Sequence, residues 1–207
     1  MSVTIKDLGG RVATVWSELR PATRQLVERA LEPGLNAAGA TPRNTPYDAR
    51  ADLELSRLLT ALDEGAAETG RAAGQGRRQK LRQVADTCAA VLLEKTRSAE
   101  VFVQLVQRAE QQHDYARIDE LANILTFRFA ASEICELARA PNQVVRALAR
   151  DSLTQIPTPA LVALLQDPVD AQIARAALQR QAREFGSEQA RQVLMVFDQL
   201  DGETEDF

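Results

Sequence analysis

Apolar residues recur at helical spacing along most of the chain, and the breaks in that rhythm divide it. Leu8, Val12, Val15, Trp16 and Leu19 share one face of a first segment; Leu26, Val27, Ala30 and Leu31 do so in a second. Pro33–Gly34 stops the second segment, and LNAAGATPRNTP (35–46) reads as a loop. A third helix follows, with Ala51, Leu55, Leu58, Leu59 and Leu62 on one side. The stretch EGAAETGRAAGQGRR (64–78) then has the small, polar composition of a flexible linker, which buries too little surface to fix a conformation. Eight of the ten glycines fall at or before residue 76, so the first third is expected to be interrupted and the remainder almost continuously helical.

After residue 79 the period strengthens. Leu81, Val84, Cys88, Val91 and Leu92 form one stripe, and Ser98 is placed to N-cap a helix carrying Phe102, Leu105, Val106 and Ala109. Ile118, Leu121, Ala122, Leu125 and Phe129 form another stripe. Ile124 and Phe127 lie off it, which predicts burial on a second side. Gly186 fits a helix C-terminus, and Ser187 can cap a last helix built on Val193, Leu194, Phe197 and Leu200. The acidic DGETEDF that follows is expected to be a disordered tail.

Between residues 132 and 186 two segments share a plan: a short helix, a break containing proline, and a longer helix bearing arginine. Ile134 and Leu161, Leu137 and Leu164, and Pro141 and Pro168 each stand 27 residues apart. Thr158–Pro159 and Asp167–Pro168 each place a capping residue before a proline at an expected first helical position. The string TPALVALLQDPVDAQIARAAL resembles a HEAT-type repeat, or the related leucine-rich-variant repeat. The matching positions are Asp167, Pro168, Ile173 and Arg175, and in the preceding unit Pro141, Asn142, Val145 and Arg146; Ala140 stands where the motif has Asp. The resemblance covers about residues 132–186. It implies a scaffold that binds protein or, in some families, nucleic acid.

The expected fold is therefore all-α: an α-solenoid-like array of stacked antiparallel helices with an N-terminal helical segment. Residues 1–62 form that segment, 63–78 the linker, 79–200 a right-handed helical repeat domain, and 201–207 the tail. The helix at 187–200 would cap the stack, because each layer buries its apolar face only against a neighbour. The Trp16 helix would cap the other end or make a homodimer.

Composition supports this picture. Aromatics are 4% of the 207 residues, so a core must be built mainly from Ala, Leu and Val, which suits close-packed helices. Arginine far outnumbers lysine, as GC-rich bacterial coding would produce. The net charge of -4 offers no bulk attraction to nucleic acid or an anionic membrane. That charge is uneven: residues 1–100 carry a net +2 and residues 101–207 a net -6. No stretch is long and apolar enough to span a bilayer, and the start lacks the apolar core of a signal peptide, so a cytoplasmic location is expected. Cys88 and Cys135 stand in apolar surroundings and are expected to be buried.

Candidate chemistry is sparse. Glu110-x-x-His113 puts a carboxylate and an imidazole on one helical face, the pair that di-iron bundles use twice. His113 is the sole histidine, so a symmetric metal site needs two copies of the chain. The spacing reads better as a helix end before Asp114–Tyr115. A Cys–His pairing of His113 with Cys88 or Cys135 lacks apparatus to activate the thiolate. GQGRRQK (74–80) has neither the spacing nor the preceding strand of a phosphate loop. No enzyme, cofactor or resident metal is expected.

The arginines remain. Arg146 and Arg150 are neighbours on one helical face, flanked in the proposed stack by Arg139 and Arg175. Aligned, they could hold an acidic partner or phosphates; alternatively they pair internally with Asp151, Asp167 or Asp170, which the acidic balance of this half favours. Arg77, Arg78, Lys80 and Arg82 make the most basic spot. The expected function is a non-catalytic adaptor that engages another protein, with a nucleic-acid-binding repeat protein as the alternative and a helical-bundle metalloenzyme assembled across a dimer third.

Overall fold

In a computed structural model the described residues are 5–32, 47–68 and 75–204, and within them the chain is all-helical, without a strand. A 3-10 turn (Ile5–Leu8) leads into α1 (Gly10–Glu18) and α2 (Pro21–Ala30). Then come α3 (Ala49–Glu68), α4 (Gln75–Lys95), α5 (Ala99–Gln112) and α6 (Tyr115–Arg128). The chain continues with α7 (Ala131–Leu137), α8 (Gln143–Leu153), α9 (Thr158–Leu164), α10 (Ala171–Glu184) and α11 (Glu188–Thr204). No helix among the described residues is long and apolar enough to cross a membrane. The expected loop at 35–46 lies outside the described residues.

Two compact units divide the chain within α5, Met1–Leu105 and Val106–Phe207. This differs from the expected boundaries at 62 and 79. In the first unit α3 and α4 pack along each other as its longest pair, with Leu55, Leu58, Leu59, Leu62, Leu81 and Leu92 fully buried. The stretch expected as a linker at 63–78 is helical at 63–68 and 75–78, and residues 69–74 lie outside the described residues. Small side chains here serve close packing: a Cβ added at Gly65 would stand 3.6 Å from a Leu81 methyl and 3.8 Å from one of Val12. Helix α1 lies on α3, and Val12 and Trp16 are buried within this unit, so the Trp16 face offered for dimerisation is already covered.

Polar groups fix how α2 and α3 meet. Glu54 of α3 accepts from the Arg20 Nε at 2.8 Å and from the Thr23 hydroxyl, tying it to the start of α2. Burial pushes Glu54 upward, but these hydrogen bonds outweigh it and hold the carboxyl below its usual range. Asp48 caps α3 by accepting from the backbone N–H groups of Arg50 and Ala51. Nearby Asp52 accepts from the Tyr47 hydroxyl at 3.0 Å and from the Thr96 hydroxyl and Arg97 N–H, tying α3 to the α4–α5 turn. Burial still wins there and raises Asp52, and burial beside Asp52 pushes the Tyr47 phenol up to about 12.

In the second unit α6 lies beside α8 and α8 beside α10, while α7 lies beside α9 and α9 beside α11. Consecutive helices α7 and α8, α9 and α10, and α10 and α11 also pack on each other. Ile134, Leu121, Leu125 and Leu161 are fully buried, as their periodicity predicts. Asn142 and Ser187 accept from the N–H groups of Val145 and Ala190, capping α8 and α11. At the end of α10, Gly186 takes φ +66° and the Ser187 N–H reaches back to the Gln181 carbonyl at 3.0 Å, closing the helix end.

Several expectations fail in detail. Thr158 is the first residue of α9 rather than its cap, and its hydroxyl is spent on Gln181. Asp167 caps a turn containing Pro168, and α10 begins only at Ala171. Phe127 is 88% exposed, because α6 packs on α8 through Leu121 and Leu125 and leaves that side bare. In α11 Met195 and Val196 are exposed, so its covering of the end is partial. That helix runs to Thr204, so residues 201–204 of the expected tail are helical, and 205–207 lie outside the described residues.

Two measurements test the first unit. Gly65→Ala should raise stability by roughly 0.5–1 kcal/mol, since all three contacts are ordinary and glycine weakens a helix interior; a fall in the urea midpoint would contradict the packing. Because Glu54 sits below its unfolded value of 4.5, its contribution is present above that pH and is lost as pH falls through the folded value. Glu54→Gln should therefore cost about 1–2 kcal/mol at neutral pH, and the gap should close in acid.

Candidate arginine-lined groove

The structure separates the four arginines proposed from the sequence into three that are spent internally and one that is not. Arg139, just past α7, donates to the Val169 carbonyl at 3.3 Å and pairs with Asp170, the buried residue preceding α10. Arg146 turns back to the carbonyls of Ala140 and Pro141, at 2.8 and 2.6 Å. Arg175 pairs with Asp198 of α11. These contacts stitch helices and turns together. Arg150, at the C-terminal end of α8, is exposed, and its side chain has no partner among the described residues.

Arg150 stands at the rim of a groove between α8 and α10 with a volume of about 560 Å³. Two further arginines line it, Arg180 and Arg183 of α10. Arg180 is held in place: its guanidinium bonds Glu184 at 3.1–3.2 Å and reaches Asp151 at 3.4 Å and the Arg150 carbonyl at 3.3 Å. Arg183 is exposed and, like Arg150, has no side-chain partner among the described residues. The floor is apolar, formed by buried Leu153 and Ala177 with the more accessible Ile173 and Ala176. Chemically the groove offers planar cationic forks beside an aliphatic surface.

Arg180 and Arg183 escaped the sequence reading. The signal was the helical series 173, 176, 177, 180, 183, 184, which makes one face with an apolar first half and a charged second half.

What holds the two walls of the groove in register is Gln181. It is buried, and its amide donates to the carbonyls of Ile156 at 2.7 Å and Thr154 at 3.1 Å while accepting from the Thr158 hydroxyl at 3.1 Å. The buried Gln181 amide thereby uses its nitrogen twice as donor and its oxygen as acceptor.

The other candidates resolve differently. In the first unit, Arg77 donates through Nε and Nη2 to the Leu8 carbonyl at 3.1 and 2.9 Å, and its guanidinium packs where Gly9 has no side chain. Arg78 is half-buried, while Lys80 and Arg82 are exposed. Glu110 accepts from Asn142 at 3.0 Å, and His113 ends α5 in a left-handed conformation at φ +55°. No group of three or more His, Cys, Asp or Glu placed to hold a metal ion occurs among the described residues. Cys88 and Cys135 are both buried and form no disulfide among the described residues, and burial beside Asp170 pushes the Cys135 thiol up to about 11. Asp52 and Tyr47 are perturbed, yet their polar atoms are engaged with each other and with the α4–α5 turn.

Comparison of the chain with protein-family models, curated proteins and solved structures returns no match.

The assignment of roles is testable by stability. Gln181→Met keeps the volume but strands two buried carbonyls and a hydroxyl, and should cost about 2–4 kcal/mol in urea unfolding. Arg150→Ala and Arg183→Ala should each stay within about 0.5 kcal/mol of the parent. A large loss from either arginine variant would make that arginine a structural element.

Proposed function

We propose that the chain is a non-catalytic interaction module and that its second unit is a short HEAT-like α-solenoid engaging another protein through the α8–α10 groove. The observation that carries this reading is the unequal use of the arginines. Arg139, Arg146, Arg175 and Arg180 are tied to the fold, whereas Arg150 and Arg183 face one concavity with their charges uncompensated. The two rows formed by α6, α8, α10 and by α7, α9, α11 support the solenoid reading, since rows of that kind arise when helix pairs stack. A reducing, cytoplasmic setting suits two buried cysteines that form no disulfide among the described residues.

The test uses the full chain as bait in a lysate of its own cells, with and without nuclease. Capture of a near-stoichiometric protein that drops at least tenfold with Arg150→Glu/Arg183→Glu, at unchanged helical circular dichroism, is the expected result. Equal capture by that variant would remove the groove from the interaction. Loss of all bound material on nuclease treatment would replace the protein partner with a nucleic acid.

A further inference from the structure

Resting on the groove reading above, we infer that the occupant is a short peptide segment of a partner in which an aliphatic side chain is flanked by carboxylates. Arginine presents a planar fork that pairs with a carboxylate through two parallel hydrogen bonds. Arg150 stands on one wall and Arg183 on the other, so a segment crossing the groove meets one fork from each helix. Arg180 lies with them but already shares its guanidinium with Glu184 and Asp151. Two carboxylates therefore match the cations that remain to be compensated.

The floor decides what lies between those carboxylates. Ile173 is half-buried and Ala176 exposed, beside fully packed Leu153, so a branched aliphatic side chain there removes apolar surface of its own and of the floor from water. A volume of about 560 Å³ is that of a small-ligand site and takes a few residues rather than a whole helix.

Charge argues against a polyanion in the same place. Residues 101–207 carry a net -6, and Glu184 and Asp151 sit within reach of the central arginine. A nucleic-acid backbone would run its phosphates past these carboxylates and gain only two uncompensated cations. Long-range repulsion from the acidic surface is screened within about 8–10 Å at ordinary salt, whereas paired forks act in contact. A segment with two carboxylates therefore tolerates this surface better than a chain of phosphates.

The experiment is a fluorescence-polarisation titration of the full chain against labelled Gly-Glu-Leu-Glu-Gly-Ser. The controls are Gly-Gln-Leu-Gln-Gly-Ser, Gly-Glu-Gly-Glu-Gly-Ser and a ten-nucleotide oligothymidylate. Binding of the first peptide near 10⁻⁴ M is expected, on the order of what two exposed charge pairs and one apolar contact support. It should weaken at least tenfold for the glutamine peptide and at least threefold for the peptide lacking leucine. Arg150→Glu and Arg183→Glu should each weaken it at least tenfold, and Lys80→Glu should leave it unchanged. Equal affinity for the glutamine peptide, indifference to both groove reversals, or tighter binding of the oligothymidylate overturns the inference. If the acidic peptide fails to bind while lysate capture of a protein still depends on Arg150 and Arg183, the peptide class is wrong and the groove reading stands. If neither depends on those arginines, both fall.

Discussion

The second unit depends on one buried amide. Gln181 bonds the carbonyls of Thr154 and Ile156 and the hydroxyl of Thr158, so α10 cannot slide or rotate against the α8–α9 connection without stranding buried polar groups. Helical geometry then settles the rest. With Gln181 turned inward, the neighbouring positions 180, 183 and 184 lie on the flank that meets α8, and Arg180 comes within reach of the Arg150 carbonyl and Asp151. The charged wall of the groove follows from a hydrogen-bond requirement in the core.

The Arg139–Asp170 pair acts in the same direction at the other end of α10. Asp170 is 4% exposed at the start of α10, where a carboxylate without a cation would be costly to bury. Arg139 reaches it from the end of α7 and also bonds the Val169 carbonyl, so one guanidinium holds two adjacent residues of the turn before α10. Gln181 and Asp170 lie eleven positions apart on one helix, close to three full turns, and both anchor α10 to the preceding helix pair. Gln181 thus ties α10 to the α8–α9 connection, and Asp170 ties the start of α10 to the end of α7.

How far the sequence carried the reading depends on what each residue's partner is. Side-chain stripes were legible, because Leu121, Leu125, Ile134 and Leu161 announce burial through period alone, and the caps at Asn142 and Ser187 through residue type. Glycine and alanine were ambiguous. Gly65, Ala66 and Ala67 have linker composition, yet the same smallness lets α3 approach Leu81 and Val12, and only the fold distinguishes the two uses. Phe127 shows the converse: an off-stripe aromatic predicts a second neighbour only when a helix is actually there. Among the arginines, Arg146 and Arg139 are satisfied partly by the carbonyls of Ala140, Pro141 and Val169. A backbone carbonyl is present at every position, so sequence cannot mark which ones a guanidinium will find.

On the proposed reading of the groove, that asymmetry separates stability from recognition. An arginine exposed at a helix end keeps most of its hydration and imposes little on the fold whether or not it has a partner. Arg150 and Arg183 can therefore stand uncompensated at almost no cost to stability, on helices whose positions are fixed by Gln181 and Asp170. The converse holds for Arg139, whose loss would bare a buried carboxylate. On that reading, a partner that brings carboxylates to the groove would gain two charge-assisted contacts, and the ordering cost of association would fall mainly on the partner's own segment. The acidic surroundings add selectivity, since every carboxylate beyond those that meet an arginine is repelled by Glu184, Asp151 and the net charge of this half. Affinity should then peak at a small number of acidic residues instead of rising with their count.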